Sequence, residues 1–111
     1  MDIDKTLQEI VERIKKVNPQ KIILFGSFAN GNTQEDSDID LLVVLDTDSV
    51  SRTFRERMDR KLLVRNAIDD IEVPVDLIVY TKTEYFIVMR DPSSFTREIH
   101  ESGRIIYEKA G

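Results

Sequence analysis

The sequence predicts an α/β (α+β) domain, a single mixed β-sheet with helices packed on it. Two observations carry this. Three short apolar runs, around Ile22–Phe25, Asp38–Leu45 and Val73–Tyr80, read as strands. Between and around them lie longer segments whose apolar residues recur at helical spacing.

Ile3, Leu7, Ile10, Val11, Ile14 and Val17 step at helical intervals among charged residues, so residues 2–17 are expected to form an amphipathic helix. Asn18–Pro19 ends it. Ile22–Phe25 is short and continuously apolar, as a buried strand would be. Gly26 follows at once, and residues 27–37 are polar and turn-rich, with a short helix expected from Ser27. Beyond Asp40 the second strand is apolar on both faces, which places it in the middle of the sheet. Val50, Phe54, Met58 and Leu62 step by four, with Ala67 and Ile68 after them, predicting a long helix over 51–69. Pro74 stands near the start of the third strand, where a missing donor is tolerable. Thr81 and Glu84 fit a capping box for a helix over 82–90. Pro92 is expected to open a last helix, Gly103 to cap it, and Arg104–Glu108 to be extended.

Length and composition bound the function. Residues 1–111 are expected to be one domain. There is no cysteine, so disulfides and thiolate chemistry are excluded and a cytoplasmic setting is expected. No signal peptide or membrane-spanning run is visible. The formal net charge of −5 disfavours nucleic acid as the main substrate, because cations on phosphate supply most non-specific affinity.

Asp38, Asp40 and Asp76 are carboxylates at the openings of two apolar strands. Side chains alternate along a strand, so Asp38 and Asp40 share a face, roughly 6.6 Å apart. Two like charges about 4 Å apart repel by about 4 kcal/mol at an effective dielectric near 20. Three converging carboxylates therefore call for a cation or for protons. Hard oxygen donors without His or Cys favour Mg²⁺ or Mn²⁺. Gly26 lets the backbone turn sharply, and N–H groups with the Ser27 hydroxyl offer an anion site. If these groups share one site, strands one and two are antiparallel and strands two and three parallel. Helix 51–69 is then the crossover. A phosphate cradle facing a metal-binding cluster suits phosphoryl or nucleotidyl transfer.

Gly26-Ser27, followed after ten residues by Asp38-Ile39-Asp40, resembles the signature of the DNA polymerase β-like nucleotidyltransferase superfamily. Short length and the late Asp76 resemble its minimal nucleotidyltransferase (MNT) branch. The resemblance implies that Asp38, Asp40 and Asp76 are the catalytic metal triad, with two Mg²⁺ ions. It implies that Gly26 and Ser27 bind the triphosphate of ATP. It further implies an antitoxin-type partnership with a HEPN-type helical protein, and AMP transfer to a tyrosine of that protein. The family often carries Arg before the second glycine of the loop; here Asn30 stands there, with Lys21, Arg57 or Lys61 as candidate replacements. Two alternatives follow: an antitoxin that acts by binding alone, or an enzyme whose acceptor is a small molecule or an RNA end. Ser27 could instead be only a helix N-cap. Arg52, Arg55, Arg57, Arg60, Lys61 and Arg65 make helix 51–69 basic-rich, by default a solvated face and otherwise a contact for an acidic partner.

Overall fold

The computed structural model describes residues 2–31 and 38–110. Helix α1 (Ile3–Ile14) is capped by Asp2, whose carboxylate accepts the Lys5 N–H at 3.2 Å. A 3-10 turn, Lys15–Val17, extends it. Asn18 then takes a left-handed φ of 58° and ends the helix. Strand β1 (Pro19–Phe25) begins three residues before the predicted run, since a proline at the first strand position forfeits little. It leads through Gly26 into the one-turn helix α2 (Ser27–Asn30). Asn32, Glu35 and Asp36, expected in the following turn, lie outside the described residues.

Strand β2 (Ile39–Leu45) pairs antiparallel with β1, and β3 (Val75–Thr81) pairs parallel with β2. Strand β4 (Arg104–Glu108) closes the other edge, antiparallel to β1, giving the order β3-β2-β1-β4. The mixed sheet and the central place of β2 are as the sequence predicts. Leu41, Leu42, Val43 and Val44 of β2 are fully buried because helices cover both faces.

On one face α1 and the C-terminal half of helix α3 (Phe54–Ala67) bury Leu7, Ile10, Ile14, Val64 and Ile68 against Leu24, Leu41 and Val43. On the other, helices α4 (Lys82–Arg90) and α5 (Ser94–Ser102) bring Tyr85, Phe95 and Ile99 against Ile23, Leu42 and Ile78. The alternation of β2 puts Asp40 on this second face, with Leu42. Among the described residues no helix is long and apolar enough to cross a membrane.

Helix α3 corrects the sequence reading. It starts at Phe54, where the Thr53 hydroxyl accepts the Glu56 N–H at 3.1 Å. The apolar residues that signal it divide: Phe54 is 77 % exposed, Leu62 49 % and Val50 44 %, whereas Met58 is half-buried and Ile68 buried. Four residues turn a helix by about 400°, so Phe54, Met58 and Leu62 form a stripe about 80° wide, which marks an apolar side of the helix without fixing which side the sheet covers. The crossover between two parallel strands fixes which side docks, and that side carries Val64 and Ile68.

The last helix also differs in detail. Pro92 precedes it, and Ser93 is the cap, its hydroxyl accepting the Thr96 N–H at 3.1 Å. Gly103 does end α5, but in an extended conformation. Glycine is needed there for space: a Cβ would lie 2.5 Å from the Ile99 carbonyl oxygen.

The capping box of α4 forms as predicted. The Glu84 N–H donates to the Thr81 hydroxyl at 3.2 Å, and Glu84 Oε1 accepts the Thr81 N–H at 2.9 Å. Glu84 Oε2 accepts the Ser51 N–H at 2.7 Å, and Arg60 stands 4.0 Å away. The carboxylate, 12 % exposed, thus pins the approach to α3 onto α4. Burial pushes its pKa up, but the N–H groups of Thr81 and Ser51, with Arg60, outweigh burial and hold it below the ordinary 4.5. Glu84→Gln presents an NH₂ to one of those donors and is expected to lower stability by about 1–3 kcal/mol at neutral pH. The folded pKa is the lower one, so the wild type holds this advantage above the unfolded value and loses it as pH falls through the folded one. Urea unfolding midpoints of the two proteins should therefore converge in acid.

Candidate active site

The corner after β1 is built for close approach. Phe25 pairs with Asp40, so Gly26 turns directly beside Asp40. Gly26 has φ 73° and ψ −151°, a region essentially confined to glycine. A Cβ on Gly26 would overlap the Asp40 carboxylate oxygen and lie 3.1 Å from its Cγ. The Asn30 N–H closes the first turn of α2 onto the Gly26 carbonyl at 3.2 Å. Gly26 is the N-cap, and Ser27 is the first helical residue. The reading of Ser27 as the cap is therefore incorrect.

Asp40 stands opposite Asp76 in the parallel β2–β3 register. Directly paired residues point to the same face, with strands about 4.8 Å apart. Asp40 is half-buried, whereas Asp38 and Asp76 are exposed. The pKa of Asp40 is raised, first by burial, then by the charges of Asp76, Asp38 and Glu98. Gly26, Ser27, Asp38, Asp40 and Asp76 thus lie at one end of the sheet, where β1 ends and β2 and β3 begin.

Among the described residues no three His, Cys, Asp or Glu side chains converge closely enough to hold a metal ion unaided. The chemistry of the set still fits Mg²⁺, which is ordinarily held by one or two carboxylates together with substrate phosphates. Asp40 and Asp76 supply such a pair in register, and the Gly26 turn leaves an open approach beside them.

Glu98 escaped the sequence reading. Helix α5 is seated by Phe95, whose ring meets Phe25 edge-on at 5.7 Å, and Glu98 follows one turn later. Its charge acts on Asp40 across the helix–sheet contact. No local pattern signals a contact between residues so far apart in the chain. Two of the cations considered as substitutes for an arginine at position 30, Lys21 and Arg57, lie elsewhere. Lys21 is near the start of β1, 3.5 Å from Glu108. Arg57 lines a groove with Tyr80 and Ile87, toward the opposite end of β3.

The sequence profile of the polymerase beta nucleotidyltransferases matches residues 5–110. A Methanocaldococcus jannaschii protein, provisionally named a protein adenylyltransferase, is 35 % identical over 112 residues, covering 96 % of this chain and all of that one. The crystal structure of a provisionally named nucleotidyltransferase from Sulfolobus solfataricus superposes with a TM-score of 0.63 at 25 % identity, over 95 % of this chain and 79 % of that one. A toxin–antitoxin complex with AMP-PNP contains a chain with the same fold, at a TM-score of 0.60 and 21 % identity, over 92 % of this chain and 73 % of that one.

Proposed function

The chain belongs to the polymerase β nucleotidyltransferase family, and on that premise we propose that it transfers AMP from ATP, with Mg²⁺, to a tyrosine of a HEPN-type helical toxin, as its antitoxin. The proposal takes residues 1–111 as one domain working in the cytoplasm. The observation that carries it is the register of Asp40 against Asp76 beside the Gly26 turn. The name of the archaeal relative supports transfer to a protein, and the shared fold with a toxin–antitoxin chain supports the partnership.

The residues divide the work as follows. The Gly26 N–H and the Ser27 hydroxyl hold the β- and γ-phosphates. Asp38, Asp40 and Asp76 would hold Mg²⁺, or Mn²⁺ in its place. When bound, the metal neutralises the triphosphate and polarises its α-phosphorus for attack. The tyrosine oxygen forms its bond to the α-phosphorus as the bond to the β-phosphate bridge breaks, and pyrophosphate leaves. Asp76, which is exposed, takes the phenolic proton of the acceptor.

Incubation with α-labelled ATP, Mg²⁺ and the product of the neighbouring gene is expected to place label on that protein. Asp38→Ala/Asp40→Ala and chelation should each abolish it. No label with the wild type, or equal label with the double variant, refutes the reading. Asn30 favours a second reading, neutralisation by binding alone, because neither Lys21 nor Arg57 lies at the Asp40 end. Full rescue from the toxin by the double Asp variant would select it.

A further inference from the structure

Helix α3 carries a face the fold leaves largely open: Phe54, Arg55 and Leu62 are exposed, and Met58, Lys61 and Arg65 are half-buried. Around a helix with about 100° per residue, Phe54, Met58, Lys61, Leu62 and Arg65 fall within one sector and Arg55 borders it. Glu56 and Asp59, the helix's two acids, fall outside it, as does the docked residue Val64. Phe54 and Leu62 are among the most exposed large apolar residues. Among the described residues, Arg55, Lys61 and Arg65 have no carboxylate within ion-pair distance. Beside the start of the helix, Val50, Arg57, Ile87 and Val88 line a groove of about 170 Å³, room for one apolar side chain.

We propose that this apolar, basic face of α3 is the docking surface for a protein partner that presents an apolar helix bordered by Asp and Glu. The line of apolar residues at i, i+4 and i+8 is what a second helix packs on. The cations around it choose an acidic rim. A second copy of the chain is a poor occupant: a two-fold contact would set Arg55, Lys61 and Arg65 against their own copies. Nucleic acid is also poorly matched, because phosphates would meet Phe54, Met58 and Leu62, and the chain is acidic overall. The helix starts beyond the far end of β2 and ends before β3 begins. Its last turn therefore lies toward the end of the sheet that holds Asp76, and a partner along α3 reaches that end. The inference rests on the proposed function only in taking the docked partner as the AMP acceptor.

The test uses the full chain and the neighbouring gene's product, with affinity measured by calorimetry and transfer by α-labelled ATP on the same samples. Phe54→Ser/Leu62→Ser and Arg55→Glu/Lys61→Glu/Arg65→Glu should each weaken the complex at least tenfold, and the thermal midpoint of the first should be unchanged because Phe54 and Leu62 are exposed. The charge reversal should also flatten the salt dependence. Hydrogen exchange of the wild type should slow over residues 54–65 on complex formation. Unchanged affinity in both variants, or no complex with the wild type, overturns the inference. So does a dimer of the chain, or RNA binding, lost in the variants. Affinity lost in the variants while the wild-type complex transfers no label upholds docking and refutes the transfer reading. Transfer with unaltered affinity does the reverse.

Discussion

Asp40→Asn is expected to reduce AMP transfer by roughly 10³-fold or more while leaving the metal-free protein at least as stable as the wild type. The two effects share one cause. Asp40 is half-buried between the Gly26 turn and Asp76, and burial together with Asp76, Asp38 and Glu98 raises its pKa. A carboxylate placed there disfavours its own charged form. Asparagine has the same shape without the charge, so the repulsion is relieved and the packing kept. Catalysis loses what stability gains, because an amide is a poor ligand for Mg²⁺ and cannot offset the charge of the triphosphate. Asp76→Asn should reduce transfer comparably with less effect on stability, since Asp76 is exposed. Single-turnover labelling and thermal midpoints in chelator measure both quantities. A lower midpoint with transfer retained would show that Asp40 is a packing residue.

Much of this site is legible in the sequence because its logic is local. A strand running into Gly26-Ser27, and another opening with Asp38-Ile39-Asp40, can share a site only if they are antiparallel, and β1 and β2 are. An Asp at the opening of the third apolar run requires a parallel partner, which the register of Asp40 with Asp76 provides. The capping box of Thr81 and Glu84 lies within one helical turn and is read directly. What escaped is decided by contacts between distant segments. The face on which α3 docks depends on the hand of the crossover and the sheet beneath Val64, which a four-residue step cannot reveal. The charge of Glu98 reaches Asp40 because α5 is seated on the sheet by Phe95 against Phe25, a fact of helix-on-sheet packing. The second role of Glu84, accepting the Ser51 N–H, likewise joins segments the local motif does not connect.

Gly26→Ala is expected to be the most damaging substitution outside the carboxylates, lowering stability by about 1–3 kcal/mol and transfer by 10²-fold or more. Two separable penalties act. The backbone at φ 73° and ψ −151° is open to glycine and strained for alanine. The new methyl would also enter the space of the Asp40 carboxylate, with Cγ at 3.1 Å. Either the corner moves away from β2, carrying Ser27 with it, or Asp40 rotates out of register with Asp76. Both outcomes separate the phosphate donors from the carboxylates, and a shift of about 1 Å is enough to lose 10²-fold. Ser27→Ala is the control: it removes one hydroxyl and leaves the turn intact, so it should raise the KM for ATP with stability unchanged. The pair Gly26→Ala and Asp40→Ala distinguishes the two penalties. Removing the carboxylate relieves the clash but not the strain, so the double variant should recover part of the lost stability relative to additive single effects, and none of the transfer. Strict additivity in the unfolding free energies would mean that Gly26 is required only for its backbone angles, and that its closeness to Asp40 carries no energetic weight.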